Sequence, residues 1–310
     1  MPTLLHVANL TRRFGDLTAV DSVTFEVARG ELFGLVGPDG AGKTTTLRML
    51  AGVLSPTAGD AVIDGISVAR DPERVKPRLA YMSQRFGLYA DLTVAENLRF
   101  YADLYQVRTS ERPTRLERLY QFSNLGPFRD RLAGKLSGGM KQKLGLSCAL
   151  IHQPELLLLD EPTFGVDPVS RRDLWLIVHE MVAEGVTAVV STAYLDEAER
   201  FDRLAFLHQG RVLAIDTPDA LQDSLSGEIL ELRIDRMREA KEAAARLLQV
   251  RRAEIFGDRL HLTVGSAETD GPAVTAALRQ VGFEPREARP IVPSLEDVFM
   301  ERIAAAEKAA

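Results

Sequence analysis

The chain has 310 residues, of which 45% are hydrophobic and 26% are charged. This composition is that of an average globular protein and excludes disordered and fibrous chains, and the length suggests two domains. The formal net charge of -6 argues against a strongly basic nucleic-acid-binding face. The one cysteine, Cys148, can form no disulfide within the chain. We expect neither a signal peptide at the N-terminus nor an apolar run long enough to span a membrane.

Short strands surround a glycine-rich stretch in the first part of the chain. Apolar or alternating runs rich in Val, Thr and Phe predict strands, and the run that ends at Val36 is followed by Gly37–Gly42 and a helical pattern. The predicted elements here are the strands Leu4–Leu10, Ser22–Val27, Glu31–Val36 and Asp60–Val68 and the helix Lys43–Ala51.

Residues 37–44 are Gly-Pro-Asp-Gly-Ala-Gly-Lys-Thr and fit the phosphate-loop pattern G-x-x-x-x-G-K-[ST]. Glycines let the backbone curl so that its N–H groups point at phosphate oxygens, and the N-terminus of the next helix adds partial positive charge. We expect Lys43 to reach the β- and γ-phosphates of ATP and the Thr44 hydroxyl to ligate Mg²⁺. The predicted ATP-binding residues of this loop are Gly37, Pro38, Asp39, Gly40, Ala41, Gly42, Lys43, Thr44 and Thr45.

A second apolar run, Leu156–Leu159, leads directly to Asp160 and Glu161. A buried strand presents such residues at its C-terminal end, where α/β sheets bind their ligands. We expect Asp160 to hold Mg²⁺ through water and Glu161 to polarise the attacking water as a general base, so the pattern predicts an ATPase. Alternating strands and helices predict an α/β fold with a mostly parallel sheet. The other predicted elements here are the helices Val94–Tyr105, Arg115–Phe122 and Arg171–Ala183 and the strand Thr187–Ser191.

Between these motifs, residues 136–140 are Leu-Ser-Gly-Gly-Met, at the start of a predicted helix that runs to about Leu150. With this segment, residues 3–222 resemble the nucleotide-binding domains of ATP-binding-cassette (ABC) transporters, P-loop proteins whose signature is LSGGQ; here Met140 replaces Gln. The resemblance implies that Ser137, Gly138 and Gly139 grip the nucleotide of an opposite subunit. A helix N-terminus with free N–H groups suits this role.

Three further positions are assigned by the resemblance. Phe14 matches the aromatic residue that stacks on adenine, although a core position is the alternative. Gln84 matches the loop glutamine near Mg²⁺ and the attacking water, and Asp167 matches the D-loop residue that contacts the partner subunit. The implied catalytic residues are Lys43, Gln84 and Glu161, and the implied Mg²⁺ ligands are Thr44, Gln84 and Asp160.

One position departs from the family pattern. The family usually has a switch histidine after the strand that follows the D-loop, and this sequence has Ala193 there, within Ser191-Thr192-Ala193-Tyr194. Alanine cannot hydrogen-bond a γ-phosphate or position Glu161. We therefore expect a slow site in an asymmetric pair of ATPase domains; the alternative is that Glu161 suffices without the histidine.

Beyond a polar loop at residues 223–227, the predicted element order is β-α-β-β-α-β, the split ferredoxin-like pattern, followed by a closing helix. It is similar to the small accessory domain of many ABC-2-type ATPase subunits. We expect an ABC ATPase domain at residues 1–222, with a helical subdomain at about 85–150, and an α+β accessory domain at 227–310. The predicted strands are Ile229–Ile234, Ala253–Phe256, Leu260–Val264 and Glu287–Ile291, and the helices Glu239–Leu248, Pro272–Val281 and Leu295–Ile303.

The segments 37–40, 84–89, 125–128 and 132–136 resemble the N-terminal half of bacterial tandem ATPases that serve ABC-2-type multidrug exporters. The implied partners are a second ATPase subunit in a homo- or heterodimer, an ABC-2-type permease and a membrane-fusion protein, with no nucleic acid. The implied location is the cytoplasmic face of the inner membrane, through the permease. The alternatives are an ABC ATPase that acts on ribosomes or DNA and a regulatory nucleotide-binding protein without turnover. The residues that would receive a permease helix, or else form subdomain core, are Leu88, Tyr89, Leu92 and Tyr101.

Overall fold

The computed structural model describes residues 2–84 and 87–309. Arg85 and Phe86, which belong to the segment 84–89 and to the start of the predicted helical subdomain, lie outside the described residues. The chain forms two compact units, Met1–Thr217 and Pro218–Ala310. The division comes a few residues before the boundary expected at 222.

Within the described residues, the first unit contains strands and helices in the alternation that the sequence predicts. In chain order they are β1 Thr3–Phe14, β2 Leu17–Ala28, β3 Leu32–Val36, α1 Lys43–Leu50, β4 Ala58–Ile63, β5 Ile66–Ser67, α2 Pro72–Val75, β6 Leu79–Met82, α3 Val94–Leu104, α4 Arg112–Ser123, α5 Gly138–Leu150, β7 Leu156–Asp160, α6 Pro168–Ala183, β8 Thr187–Thr192, α7 Leu195–Ala198, β9 Arg203–His208 and β10 Arg211–Asp216.

The central sheet has the strand order β10-β9-β3-β8-β7-β6. Its strands from β9 to β6 run parallel, and only the edge strand β10 is antiparallel to its neighbour. The residues of β3, β7 and β8 are buried throughout, as continuous apolar runs in a sheet covered on both faces require. The predicted α/β fold is confirmed, and the carboxyl ends of β3, β7 and β8 meet at one edge of this sheet.

A second, antiparallel sheet has the order β2-β1-β4-β5. The prediction of a single strand over residues 60–68 was wrong, because β4 and β5 form a hairpin. The turn residues Asp64 and Gly65 have φ angles of 47° and 75°. Two successive positive φ angles suit a two-residue hairpin turn, and Asp-Gly is a strong sequence signal for it.

The helical segment between β6 and β7 is built from α3, α4 and α5. Thr93 caps α3 in a capping box with Glu96, which fixes where the helix begins. The adjacent Asn97 is fully buried, and its amide bonds three backbone carbonyls, including that of Tyr89. Tyr101 is a core residue, Leu88 and Leu92 are partly buried, and Tyr89 is 48% exposed, so the four positions proposed for a permease groove range from core to surface.

The second unit is a separate α+β fold. Its elements within the described residues are α8 Pro218–Asp223, β11 Glu228–Arg233, α9 Met237–Ala244, β12 Val250–Phe256, β13 Arg259–Val264, α10 Ala267–Gln280, β14 Glu287–Ile291 and α11 Leu295–Ala309. The antiparallel sheet has the order β12-β13-β11-β14. The predicted split β-α-β-β-α-β arrangement is confirmed.

Candidate functional site

The phosphate loop connects the carboxyl end of β3 to the first residue of α1. A Cβ atom at Gly37 would lie 2.2 Å from the carbonyl oxygen of Leu207, so no other residue fits without movement of the backbone. Gly42 has a φ of 100°, and a Cβ there would lie 2.6 Å from the oxygen of Ala19. Close packing and left-handed backbone therefore explain two of the glycines in the motif.

Lys43, the first residue of α1, is buried, with 4% of its surface exposed. Its ammonium group donates to the carbonyl oxygens of Gly37 and Pro38, at 2.8 and 3.1 Å. It also lies 3.1 Å from Oε1 of Glu161. The cation is thus held at the mouth of the phosphate loop by partners that an anionic ligand could replace.

Asp160, at the end of β7, is buried and accepts three side-chain hydrogen bonds. Oδ1 accepts from the hydroxyls of Thr44 and Ser191, at 2.9 and 2.8 Å. Oδ2 accepts from the Tyr81 hydroxyl at 3.2 Å. Burial, followed by the charge of Asp160, raises the pKa of Tyr81 to about 12, so this phenol remains a donor at neutral pH.

Glu161 directly follows Asp160 and has a left-handed backbone, with a φ of 47°. This conformation is uncommon for a residue other than glycine, and such residues cluster at functional sites. Its Oε2 accepts a hydrogen bond from Nε2 of Gln84 at 3.1 Å. The three side chains implied in catalysis, those of Lys43, Gln84 and Glu161, are therefore in mutual contact through Glu161.

A cavity of about 510 Å³ opens over this cluster. Phe14, at the end of β1, lines it with 46% of its surface exposed, and the Arg12 guanidinium lies 4.6 Å from its ring centroid. The core alternative for Phe14 is thereby excluded. The predicted lining residues are Phe14, Asp39, Gly40, Ala41, Gly42, Lys43, Thr44, Thr45, Gln84 and Glu161, and the sequence analysis missed Leu17, Ala19 and Phe164.

The signature residues lie outside this cavity. Ser137 caps α5 by accepting a hydrogen bond from the backbone N–H of Met140 at 3.3 Å. Gly138 is exposed, and Gly139 packs so closely on α6 that a Cβ would lie 2.2 Å from Ser170. The structure therefore does not bring the signature residues to the phosphate loop of the same chain.

Asp167 is likewise an exposed helix cap, at the start of α6. Its Oδ1 accepts from the backbone N–H of Ser170 at 2.9 Å, and this bond lowers the pKa of the carboxyl. The cap fixes the turn between Glu161 and α6, and Asp167 is not among the residues that line the cavity described above.

Ala193 follows β8 and is partly exposed. The flanking residues are held by a buried group that the sequence analysis missed: Glu197 accepts from the hydroxyl of Thr192 at 2.7 Å and from the indole N–H of Trp175 at 3.1 Å. Arg171 stacks on the ring of Tyr194, with 4.6 Å between its Cζ and the centroid. The segment is thus well anchored, and its one methyl group stands where the resemblance implies an imidazole.

The donor set fits Mg²⁺. Thr44, Asp160 and Gln84 offer hydroxyl, carboxylate and amide oxygens, the hard ligands that Mg²⁺ takes together with phosphate and water. Across residues 2–84 and 87–309, no group of three or more His, Cys, Asp or Glu side chains is placed to hold a metal ion. In nucleotide sites, Mg²⁺ is usually bound by one or two carboxylates together with substrate phosphates and water. No helix in the same described residues is both long and apolar enough to cross a membrane.

Two family descriptions match the sequence. Residues 20–164 match the family described as ABC transporter, and residues 217–303 match the C-terminal domain of proteins described as ATP-binding protein DrrA1-3-like. The first match contains the phosphate loop, Asp160 and Glu161, and the second covers most of the separate α+β unit.

Relatives in bacteria match almost the whole chain. The probable multidrug ABC transporter ATP-binding protein YbhF of Escherichia coli is 42% identical over 301 residues, which are 96% of this chain and 51% of YbhF. The chain thus spans about half the length of YbhF. The daunorubicin resistance ATP-binding protein DrrA2 of Streptomyces coeruleorubidus is 34% identical over 299 residues, with 94% of this chain and 92% of DrrA2 covered.

Solved structures agree with the fold of the first unit. The ATP-binding subunit of an ABC transporter matches with a TM-score of 0.65 and 35% identity, over 71% of this chain and 92% of its own. The dimeric ATP-binding cassette MJ0796, bound to ADP and phosphate, matches with a TM-score of 0.62 and 25% identity, over 69% of this chain and 98% of its own.

Proposed function

Because the chain belongs to the family of ABC transporter ATP-binding proteins, which are ATPases coupled to transport, we propose that it drives an ABC-2-type exporter. Its cargo would be drugs or other hydrophobic compounds, which leave through a separate permease. Relatives named for multidrug transport, daunorubicin resistance and Nod factor export support this class of substrate. The observation that carries the proposal is the contact of Lys43, Gln84 and Glu161 beneath one cavity.

In this proposal, Lys43 exchanges its bonds to Gly37, Pro38 and Glu161 for bonds to the β- and γ-phosphates of ATP. Thr44, Asp160 and Gln84 would hold Mg²⁺, which supplies charge neutralisation at those phosphates. Glu161, released from Lys43, accepts a proton from the water that attacks the γ-phosphorus, while the bond from that phosphorus to the bridging oxygen breaks and ADP leaves. Positioning and charge stabilisation of this kind account for most of phosphoryl-transfer catalysis.

The adenine is assigned to Phe14, which is exposed at the cavity rim. The face of an aromatic ring can stack on the flat face of a base such as adenine. The backbone N–H groups from Asp39 to Thr45 surround the phosphates, with the N-terminus of α1 adding its dipole.

The signature residues imply a second ATPase domain. Ser137 and Gly138 do not line the cavity over the phosphate loop of their own chain, so we infer that they contact the γ-phosphate held by a partner, while Asp167 contacts that partner beside the shared nucleotide. The partner is a second copy of this chain or a related chain. The dimeric state of the matching cassette MJ0796 supports a paired arrangement.

We further infer that this chain is the slower half of the pair. Ala193 offers no hydrogen-bond donor to the γ-phosphate and none to Glu161. The partner's site would still need Ser137 and Gly139 of this chain, so the slow subunit supports catalysis in the fast one. Its place would be the cytoplasmic face of the inner membrane, bound through Leu88 and Tyr89 to a permease, with a membrane-fusion protein completing the exporter.

The exporter assignment is tested by affinity purification from detergent-solubilised membranes. A tagged chain is expected to co-purify with a polytopic permease and a second ATP-binding cassette, and to bind ATP in a Mg²⁺-dependent manner. Recovery with ribosomes or DNA instead would contradict the transport assignment. ATP binding without any permease would favour a regulatory protein.

The slow-site proposal predicts a gain of function. In Ala193→His, the new imidazole can bond the γ-phosphate and Glu161, and we expect the ATP turnover of the purified chain to rise at least tenfold, which corresponds to about 1.4 kcal/mol of barrier. The matched control is Ala69→His, which adds the same side chain to an exposed position that does not line the cavity. Turnover already at a full family rate, and unchanged in Ala193→His, would overturn the proposal.

A further inference from the structure

We propose that Ser191 is a positioning residue for both acidic residues of the site, Asp160 and Glu161. The inference rests on the proposed ATPase function and adds a role that neither the phosphate-loop motif nor the ABC signature assigns. Ser191 belongs to β8, whereas Asp160 is the last residue of β7 and Glu161 follows it, so the effect of Ser191 would cross between two strands.

Ser191 makes two contacts through its hydroxyl and one through its backbone carbonyl. Ser191 is fully buried, and it is the register partner of Asp160 in the parallel pair β7–β8. Its Oγ donates to Oδ1 of Asp160 at 2.8 Å and accepts from the backbone N–H of Glu161 at 3.0 Å. The same N–H also reaches the carbonyl oxygen of Ser191 at 3.1 Å. One side chain therefore fixes a carboxylate and the backbone of the next residue.

The backbone contact matters because Glu161 is left-handed, with a φ of 47°. A residue other than glycine persists in this conformation only where its surroundings enforce it. The two acceptors on Ser191 satisfy the Glu161 N–H in that conformation. The Glu161 carboxylate is thereby aimed at Lys43 and Gln84.

The carboxylate contact matters when the site is loaded. Thr44 shares Oδ1 of Asp160 with Ser191 in the structure, but the proposed function assigns the Thr44 hydroxyl to Mg²⁺. Ser191 and Tyr81 then remain to orient Asp160. The hydroxyl of Thr192, the next residue of β8, donates to Glu197, and the side chain of Ala193 has no polar group.

The experiment measures the affinity of the full chain for a fluorescent ATP analogue, with Mg²⁺ and with EDTA. For Ser191→Ala we expect the EDTA affinity to stay within twofold of wild type. The factor by which Mg²⁺ tightens binding should fall about tenfold, because a hydrogen bond to a charged group is lost. Ser123→Ala is the matched control, since it also deletes a fully buried hydroxyl, one that bonds the carbonyl of Leu119 in α4.

A second pair of variants separates the hydroxyl from packing. Ser191→Thr and Ser191→Val have nearly the same shape, both suit a strand, and only the first retains the hydroxyl. We expect the Thr variant to keep the Mg²⁺ effect within threefold of wild type and the Val variant to lose it. This pair decides the question if Ser191→Ala lowers the melting temperature so far that binding cannot be compared.

The outcomes distinguish this inference from the function on which it rests. If wild type binds no ATP, or binds it without any effect of Mg²⁺, the proposed function fails and the role of Ser191 with it. If wild type shows the Mg²⁺ effect and Ser191→Ala or Ser191→Val shows it equally, the positioning role alone is overturned. A lowered melting temperature with an unchanged Mg²⁺ effect would also overturn it, because that is the result of a purely structural contact.

Discussion

Two glycine-rich turns begin helices in the first unit, and they differ in what surrounds them. The turn 37–42 leads into α1 from the carboxyl end of β3. The buried Lys43 ammonium group of α1 donates to the carbonyl oxygen of Gly37 and lies 3.1 Å from Glu161, and the Thr44 hydroxyl donates to Asp160. The turn 136–139 leads into α5. Among the described residues, its one side-chain hydrogen bond is the cap in which Ser137 accepts from the backbone N–H of Met140.

This difference separates the steps of ATP binding and hydrolysis that one chain can perform alone from those that need a partner. In the proposed function, the first turn binds the phosphates of the chain's own nucleotide, because Lys43 and the acidic residues lie beside it. The second turn would bind a phosphate that a partner holds, because it does not line the cavity over the phosphate loop of its own chain. Disruption of the first turn should therefore abolish ATP binding by the isolated chain. Disruption of the second turn should lower only the ATPase rate of the complex with a partner.

The largest effect is expected from Lys43→Ala. The buried ammonium group is the cation nearest the proposed phosphate position, and its loss removes charge-assisted hydrogen bonds worth about 3 kcal/mol. We expect the affinity for ATP to fall about a hundredfold, as measured by equilibrium binding of a fluorescent analogue to the purified chain.

Lys76→Ala is the control for this change, because Lys76 is exposed and pairs only with the neighbouring Glu73 among the ion pairs of the described residues. It should leave the affinity within twofold. Equal ATP affinity in Lys43→Ala and wild type would contradict the assignment, since the turn 37–42 would then not be the phosphate site.

A smaller and selective effect is expected from Ser137→Ala. ATP affinity of the isolated chain should not change, while the ATPase rate of the complex with the second cassette should fall about tenfold, through the partner's site. The variant also loses a helix cap worth about 1 kcal/mol of stability.

Thr93→Ala matches that stability loss, because Thr93 caps α3 in the same way and lies outside both turns. It should lower the melting temperature as Ser137→Ala does and leave the ATPase rate of the complex unchanged. If both variants lower the ATPase rate alike, the lower rate results from lost helix stability, and the turn 136–139 does not act on the partner's site.

The same contrast explains how far the sequence could be interpreted. Lys43, Thr44, Asp160 and Glu161 follow local motifs at strand ends, and the topology of a parallel sheet brings strand ends together. The apolar runs of β3, β7 and β8 predict buried strands because both faces of the sheet are covered. The secondary structure and much of the cavity lining were therefore predictable.

What the sequence did not show are partners defined only by register between strands. Ser191 and Tyr81 bond Asp160 because β8 and β6 flank β7, and no local pattern marks either residue. Phe164 lines the cavity from a turn whose position depends on the cap at Asp167. The Asp64-Gly65 hairpin, in contrast, carried a turn signal that the strand prediction overlooked.

The smallest effect concerns the second unit. Asp297, buried in α11, accepts from the backbone N–H of Ser294 at 2.9 Å and lies 2.8 Å from Nδ1 of His261 on β13. Burial alone would raise the pKa of Asp297, but the bonds from His261 and Ser294 outweigh it and lower the pKa. Because the folded-state pKa is lowered, the ionised carboxylate stabilises the fold at pH values above the ordinary pKa of Asp, near 4. This stabilisation is lost as the pH falls through the folded-state pKa.

In Asp297→Asn we therefore expect about 1–2 kcal/mol less protection of α11 against hydrogen exchange at pH 7, and a difference from wild type that shrinks at pH 3. Glu296→Gln is the control on the same helix. Burial, followed by the charge of Asp297, raises the pKa of Glu296, so ionised Glu296 opposes folding at pH 7 and its removal should not lower the protection. A loss of protection in Asp297→Asn that is equal at both pH values would show that the contact depends on the shape of residue 297 and not on its charge.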